Sequence, residues 1–315
     1  MKNYLKNLRA AGLLALLVPA LLLTGCKDDD AQPQQNIAQV VNTNPDFSLL
    51  RAAVTKAGLG TALSSGNLTV FAPNNAAFQA SGINEAALND LSEAEARALL
   101  QYHVVDGRLP AASLAAGDNN AVTALSGGTL YVTKTGDNVS VNGARVTTAD
   151  VAASNGVIHV IDRVLLPAVG NIVETAVAAG DNFTYLVAAV LRASEGPTNV
   201  ASILSGTGPL TVFAPINQAF IAAGFPTIAS IQAADPATLA TILTYHVVPG
   251  RVFSTNLANG NVATAQGGNV SINLGTGVQV TGLGNGGTAA NVLLPNVVAT
   301  NGVIHAIDRV LLPAN

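Results

Sequence analysis

The sequence holds 315 residues, enough for about two domains. Hydrophobic residues reach 49%, mainly Ala, Val and Leu, with 4% aromatic and no Trp, so the interior must be built from small aliphatic side chains. Charged residues make up only 10% and the formal net charge is −4; with no basic block to track phosphates, nucleic acid is not an expected partner.

The chain opens with a positive head of Lys2, Lys6 and Arg9 and an apolar run over 10–23. As a helix, that run would span roughly 21 Å, short of the ~30 Å hydrocarbon core. Residues 1–25 therefore read as a cleaved secretion signal rather than a permanent membrane span. The run ends in Leu23-Thr24-Gly25-Cys26, which resembles the lipobox of bacterial lipoproteins. The resemblance implies cleavage before Cys26 and lipidation of that residue, the only Cys in the chain. Several acyl chains hold a membrane stably where one does so only marginally. Lys27-Asp28-Asp29-Asp30 then begins a polar tether at 26–36. The acidic run is similar to the surface-export signal of some Gram-negative lipoproteins. The expected location is the outer membrane, exposed at the cell surface, with a periplasm-facing anchor as the alternative.

Further along, Asp46 is placed to cap a helix whose stripe is Leu49, Leu50, Ala53 and Val54, with Gly58 ending it. A short strand at 68–71 stops at Pro73, and 75–80 turns helical. Ser92 and Glu95 form a capping box opening a helix through Leu99 and Leu100. After Tyr102 the pattern becomes strands broken by Gly and Asn, at 121–125, 129–133, 139–141, 146–151 and 157–166. Asn155-Gly156 marks a hairpin turn. The strand after it is apolar on both faces, as expected of a central strand covered on both sides. Helices followed by strands make an α+β arrangement.

All of this occurs twice. LTVFAPNNAAF at 68–78 returns as LTVFAPINQAF at 210–220. YHVVDGR at 102–108 returns as YHVVPGR at 245–251, and NGVIHVIDRVLLPA at 155–168 as NGVIHAIDRVLLPA at 301–314. In these segments 28 of 32 positions are identical. A period this long makes each copy a whole domain rather than a solenoid unit. The domains are placed at 37–168 and 171–314. Only Val169 and Gly170 separate them, a gap of at most ~10 Å, so the pair should touch and be semi-rigid.

The three duplicated segments resemble the signatures of the fasciclin domain family, in order and in both copies. The resemblance implies two tandem domains, each a wedge-shaped β-sandwich with helices packed at one side. It implies cell adhesion and surface or matrix interaction, with no enzymatic activity and no cofactor. In the family the tyrosine–histidine region is implicated in receptor binding, which would make Tyr102, His103, Tyr245 and His246 partner-binding residues. The apolar neighbours Val104 and Val105 favour burial and a structural role for them instead.

All four histidines fall at equivalent positions, His103 with His246 and His159 with His305, and Asp162 and Asp308 follow the second pair. A structural metal takes about four ligands, and each copy offers two His and no Cys. No nucleophile-elbow pattern is present. These residues therefore read as a structural signature, with Asp162 and Asp308 accepting hydrogen bonds from backbone or from the Tyr-His segment. Arg163 and Arg309 read as solvent-facing or paired with a carboxylate. The Gly-rich stretch at 282–287 lacks the Lys-Ser/Thr ending of a phosphate loop and reads as a mobile loop. The expected function is a membrane-anchored adhesion or binding module whose partner is a matrix protein, a cell-surface protein or a glycan. An envelope-organising protein without a soluble ligand is the alternative. A hydrolase or metal-binding protein is a third reading, which the residues favour least.

Overall fold

The computed structural model describes residues 34–314. The signal segment, Cys26 and the acidic run after it lie outside the described residues.

The first repeat begins with α1 (Ile37–Thr43), α2 (Ser48–Lys56), β1 (Leu68–Pro73), α3 (Asn75–Ala80), α4 (Glu85–Asp90) and α5 (Glu93–Tyr102). The strands β2 (Val104–Asp106), β3 (Gly117–Thr123), β4 (Thr129–Thr135), β5 (Asn138–Val141), β6 (Ala144–Ala153) and β7 (Gly156–Ile161) follow. The second repeat runs through α6 (Ile172–Ala178), α7 (Thr184–Ala193), α8 (Val200–Ser205), β8 (Leu210–Pro215), α9 (Asn217–Ala222), α10 (Ile228–Gln232) and α11 (Pro236–Tyr245). It closes with β9 (Val247–Pro249), β10 (Gly260–Ala263), β11 (Asn269–Asn273), β12 (Gln279–Gly282), β13 (Ala290–Ala299) and β14 (Gly302–Ile307).

Local chemistry fixes the helix starts. Asn36 and Gln39 form a capping box on α1, as Ser92 and Glu95 do on α5. Asp46, expected to cap α2, does not: its own N–H goes to Asn44 Oδ1. The start of α2 is served from 26 positions away, where Asn75 Oδ1 accepts from Leu49 N at 3.1 Å. The cap is a tertiary contact, and a local reading of the sequence does not see it.

Each repeat holds one seven-stranded sheet, ordered β2-β1-β7-β6-β5-β4-β3 in the first and β9-β8-β14-β13-β12-β11-β10 in the second. The centre is a parallel pair, β1 with β7, which the rest of the repeat connects. Its two faces bury different cores. Val70, Ala72 and Ile158 pack on the helices, together with Leu50, Phe78 and Leu100. Phe71 and Ile161 point the other way, onto Leu130, Val132, Val139 and Val141 of the far strands. The sheet can meet itself in this way because β6 is irregular, with register shifts between Val146 and Thr148 and between Thr148 and Val151. The same irregularity recurs in β13.

The central strand is shorter than the sequence suggested. β7 ends at Ile161, not at 166. Asp162 closes the ladder, giving its N–H to Arg145 O and accepting from Arg145 N at 2.8 Å. The chain then leaves the sheet, and side chains hold it: Ser81 Oγ accepts from Val164 N at 2.9 Å, and His103 Nε2 from Leu165 N at 2.9 Å.

The Asn-Gly hairpin forms for a different reason from the one expected. Ala153 pairs with Gly156, so the two loop residues are Ser154 and Asn155, and the glycine opens the next strand. A Cβ on Gly156 would stand 2.0 Å from Leu68 O, and one on Gly302 would stand 2.2 Å from Leu210 O. Asn155 serves as a hub. Its Oδ1 accepts from Ile37 N at 2.9 Å, its Nδ2 donates to Leu63 O at 3.0 Å, and its carbonyl accepts from Leu68 N. Asn301 makes the same set with Ile172, Leu204 and Leu210.

The stretch at 282–287 is held down rather than free. Asn285 Oδ1 accepts from Leu312 N and its Nδ2 donates to Val310 O, while Gly284 N donates to Leu312 O. A Cβ on Gly284 would lie 2.1 Å from Pro313 O, so these glycines admit the closing segment.

A methyl group at position 156 meets the Leu68 backbone first, with Ile37 Cδ1 at 2.9 Å behind it, and the backbone cannot turn aside. Gly156→Ala should destabilise the first repeat by about 3 kcal/mol or more, and Gly302→Ala the second likewise. Urea unfolding of each variant against the parent chain measures this.

Candidate functional site

The motif tyrosines and histidines are inside the protein. Tyr102, His103, Tyr245 and His246 are at most 2% exposed, and His159 and His305 are fully enclosed. The two Tyr-His pairs sit at the C-terminal ends of α5 and α11. In the first, His103 Nε2 takes the Leu165 N–H, leaving Nδ1 to donate to Leu99 O at 2.8 Å. His246 repeats this with Leu311 N and Ile242 O, both at 2.8 Å. Each ring clips the end of a helix to the segment that leaves the central strand. Burial pushes both imidazoles down to about 4, so they are neutral near pH 7.

The tyrosines work beside them. Tyr102 Oη donates to Thr129 O at 2.8 Å and accepts from Asn142 Nδ2 at 2.9 Å; burial raises its hydroxyl above the ordinary value. Tyr245 Oη donates to Asn269 O and accepts from Leu283 N. Neither ring presents a face to a partner.

His159 and His305 hold the irregular strand. His159 Nδ1 accepts from Asp150 N at 3.3 Å, and Nε2 donates to Leu109 O at 2.9 Å. Asp150 has φ +58, the left-handed residue of the bulge in β6. His305 holds Asn296 (φ +66) in β13 and Val252 O in the same way, and burial lowers its imidazole to about 4. Each ring stacks on a phenylalanine, Phe71 or Phe213, with centroids 5.5 Å apart.

Asp162 and Asp308 are half-buried and accept from the backbone N–H of Arg145 and Asn291, each at 2.8 Å. The Tyr-His segment does not reach them. Among the described residues Arg163 meets no carboxylate; its Nη1 donates to Ala80 O at 2.8 Å, at the end of α3. Arg309 is exposed. Among the described residues, no group of three or more His, Cys, Asp or Glu is placed to hold a metal. With both nitrogens of every imidazole bonded to backbone, the motif histidines have no lone pair or proton to offer a ligand.

What the sequence reading missed is the junction between repeats, centred on Arg251. Its guanidinium donates to Ala299, Thr300 and Gly302 carbonyls and lies 4.1 Å over the Tyr131 ring of the first repeat. Arg251 is 8% exposed and, among the described residues, meets no carboxylate. Its first-repeat counterpart Arg108 makes the same kind of contact, to Ala153 O and Gly156 O, but is exposed. Around Arg251, Asn119 Nδ2 donates to its carbonyl at 2.7 Å, Asn256 Nδ2 to Thr133 Oγ1 at 3.1 Å, and Ser140 and Thr255 share a bond of 3.1 Å. Phe253 is 1% exposed and packs with Val298, Val303, Tyr131 and Ala168. Asn296 Nδ2 reaches Gly143 O at 3.3 Å, where a Cβ would stand 2.4 Å from that amide nitrogen. The signal for Arg251 was present, since the duplicated YHVV segment ends in Gly-Arg both times. Beside this junction a cleft of about 280 Å³ opens between the repeats, lined in part by Leu166, Val169 and Leu294. These three are 54%, 70% and 51% exposed.

Two segments, 45–167 and 181–313, match the family model described as the fasciclin domain. Human periostin is 31% identical over 238 residues, 74% of this chain and 26% of periostin. Rabbit transforming growth factor-beta-induced protein ig-h3 is 33% identical over 74% of this chain and 32% of that protein. The chain thus spans about a quarter to a third of these relatives. Protein sll1483 of Synechocystis is 46% identical over 42% of this chain and 73% of its own length. Among solved structures, a domain pair from the insect cell adhesion molecule fasciclin I covers 85% of this chain and 97% of its own, with TM-score 0.41 and 22% identity.

Two outcomes follow from the buried side chains. His103→Ala leaves the Leu165 N–H and Leu99 carbonyl without partners and should cost about 2–4 kcal/mol in urea unfolding at pH 7. For acid, the folded values near 4 of His103, His246 and His305 lie below the ordinary 6.5. The unfolded chain therefore binds more protons between those values. Stability should be complete above pH 6.5 and fall towards pH 4, each ring contributing a slope of about 1.4 kcal/mol per pH unit. A chain that unfolds with equal ease at pH 7 and pH 4.5 contradicts this. At the junction, Arg251→Ala should lower stability by about 2–3 kcal/mol and broaden the distribution of interdomain distances in small-angle scattering.

Proposed function

The chain belongs to the fasciclin domain family, and from that membership we propose that it acts as an adhesion or binding module held outside the cell by a lipid on Cys26. Fasciclin domains are linked to cell adhesion and binding. The partner class is a matrix protein, a cell-surface protein or a glycan, and the anchor is an outer-membrane lipoprotein signal facing outwards. One observation carries the choice of binding over chemistry: the motif tyrosines and histidines make their hydrogen bonds within the fold. What remains for adhesion is outer surface, with the two repeats tied together at the Arg251 junction. A lipid anchor would array many copies in one plane, and two unequal faces per chain then raise weak affinities through multivalency.

An envelope-organising role is the second reading, because exposed Leu166, Val169 and Leu294 beside the junction suit a neighbouring envelope protein as well as a distant one. A strain lacking the protein separates the two. Loss of attachment to matrix-coated or cell-coated surfaces, restored by the parent gene but not by Cys26→Ser, is the expected result. Normal attachment with a leaky envelope would transfer the function to the second reading.

A further inference from the structure

A cavity of about 230 Å³ in the second repeat opens between α6, α7 and α8 and runs inward to Phe213, His246 and Ile304 beside the sheet. Its lining is apolar apart from His246, and both nitrogens of that ring are already bonded to backbone. A polar group inside would find no partner and would lose its hydration. The volume lies below the ~300 Å³ lower end for drug-sized pockets, so the shape suits something slender.

The mouth is apolar too. Val177 on α6 and Leu191 on α7 are 56% and 62% exposed, and Val187 lies one turn before Leu191. The first repeat places Asn42, Arg51 and Thr55 at the equivalent positions. There Arg51 Nη1 donates to Asn42 O at 2.9 Å and straps α2 to α1. The second repeat has replaced that polar strap with three aliphatic side chains. Standing apolar surface in water at a cavity entrance is unfavourable unless something covers it.

We propose that the second repeat binds a single unbranched alkyl chain of a small amphiphile, tail in the cavity and head in water at the Val177–Leu191 mouth. This goes beyond the adhesion reading and does not depend on it. Depth argues for a chain over a docked protein face, because the floor residues Phe213 and His246 are 1% and 2% exposed. The absence of a free polar group along the lining argues that the tail, not the head, is recognised.

The test uses the full chain and a fluorescent fatty acid, parinaric acid, displaced by hexanoate, octanoate and decanoate below their micelle concentrations. Affinity should rise roughly fourfold per added methylene until the cavity is full. Val177→Asn, Val187→Arg and Leu191→Thr together, which install the first repeat's rim, should weaken binding by roughly tenfold or more with unchanged urea unfolding. Ala201→Leu, which fills the cavity from α8, should also weaken binding while raising the melting temperature, so a misfolded rim variant would not rescue or hide the result. No displacement by any alkanoate overturns the proposal. So does equal binding by both variants, binding seen only with phosphatidylcholine vesicles, or a chain that instead dimerises through this face.

Discussion

Each repeat buries two imidazoles between segments that no regular ladder joins. A neutral ring is well suited to this, because it offers one donor and one acceptor in fixed opposition and buries no charge. His103 joins the end of α5 to the strand exit at Leu165, and His159 joins the β6 bulge to Leu109. The bulge is what lets the sheet turn and face itself, so the core around Phe71, Leu130 and Val141 exists only while β6 keeps that kink. Replacing an imidazole by any aliphatic residue would leave a buried N–H and a buried carbonyl unpaired, each costly in a low-dielectric interior.

The junction solves the same problem with a charge. Arg251 is buried with no carboxylate beside it among the described residues, and its guanidinium spends its donors on carbonyls of the 299–302 turn while Tyr131 covers its face. Burial lowers its pKa from the ordinary value, with the two nearby tyrosines acting in the opposite direction. Arginine tolerates this because its charge is delocalised and weakly hydrated compared with an ammonium. The equivalent Arg108 grips its own turn yet remains exposed; among the described residues no aromatic ring stands over it as Tyr131 stands over Arg251. One duplicated arginine therefore supports a hairpin in both repeats and, in the second, a domain contact as well.

Much of this was legible beforehand, for identifiable reasons. The duplication, the α+β order, the Ser92 capping box and the central apolar strand all come from short-range patterns. The errors share a different cause. Asp46 looked like a cap because the true support for α2, Asn75, lies 26 positions from Leu49. The central strand looked longer because Val164, Leu165 and Leu166 continue the apolar pattern after the chain has left the sheet, held by Ser81 and His103 from elsewhere. Asn155-Gly156 does mark a tight hairpin, but not through a turn-type preference: the glycine admits Leu68 O and the asparagine gathers three segments. The Gly-rich stretch at 282–287 looked free because its partners, Val310 to Pro313, come at the end of the chain. Asparagine and glycine mark turns by default, and their tertiary uses leave no local periodicity.

The two copies then differ where this interior logic permits it. Positions kept identical, such as Thr69 and Thr211, Tyr102 and Tyr245, or Asn155 and Asn301, carry buried hydrogen bonds that a substitution would strand. Buried apolar positions exchange one aliphatic side chain for another, as Val132 and Ile272 do, but three changes at the rim alter polarity: Asn42, Arg51 and Thr55 of the first repeat correspond to Val177, Val187 and Leu191 of the second. A duplicated domain under no constraint but stability would exchange exposed polar residues for other polar ones, because an exposed aliphatic side chain gains nothing from the fold. Three aliphatic replacements around one entrance run against that expectation. They place the specialisation of the second repeat on its helical face, opposite the strands that the Arg251 junction ties to its neighbour.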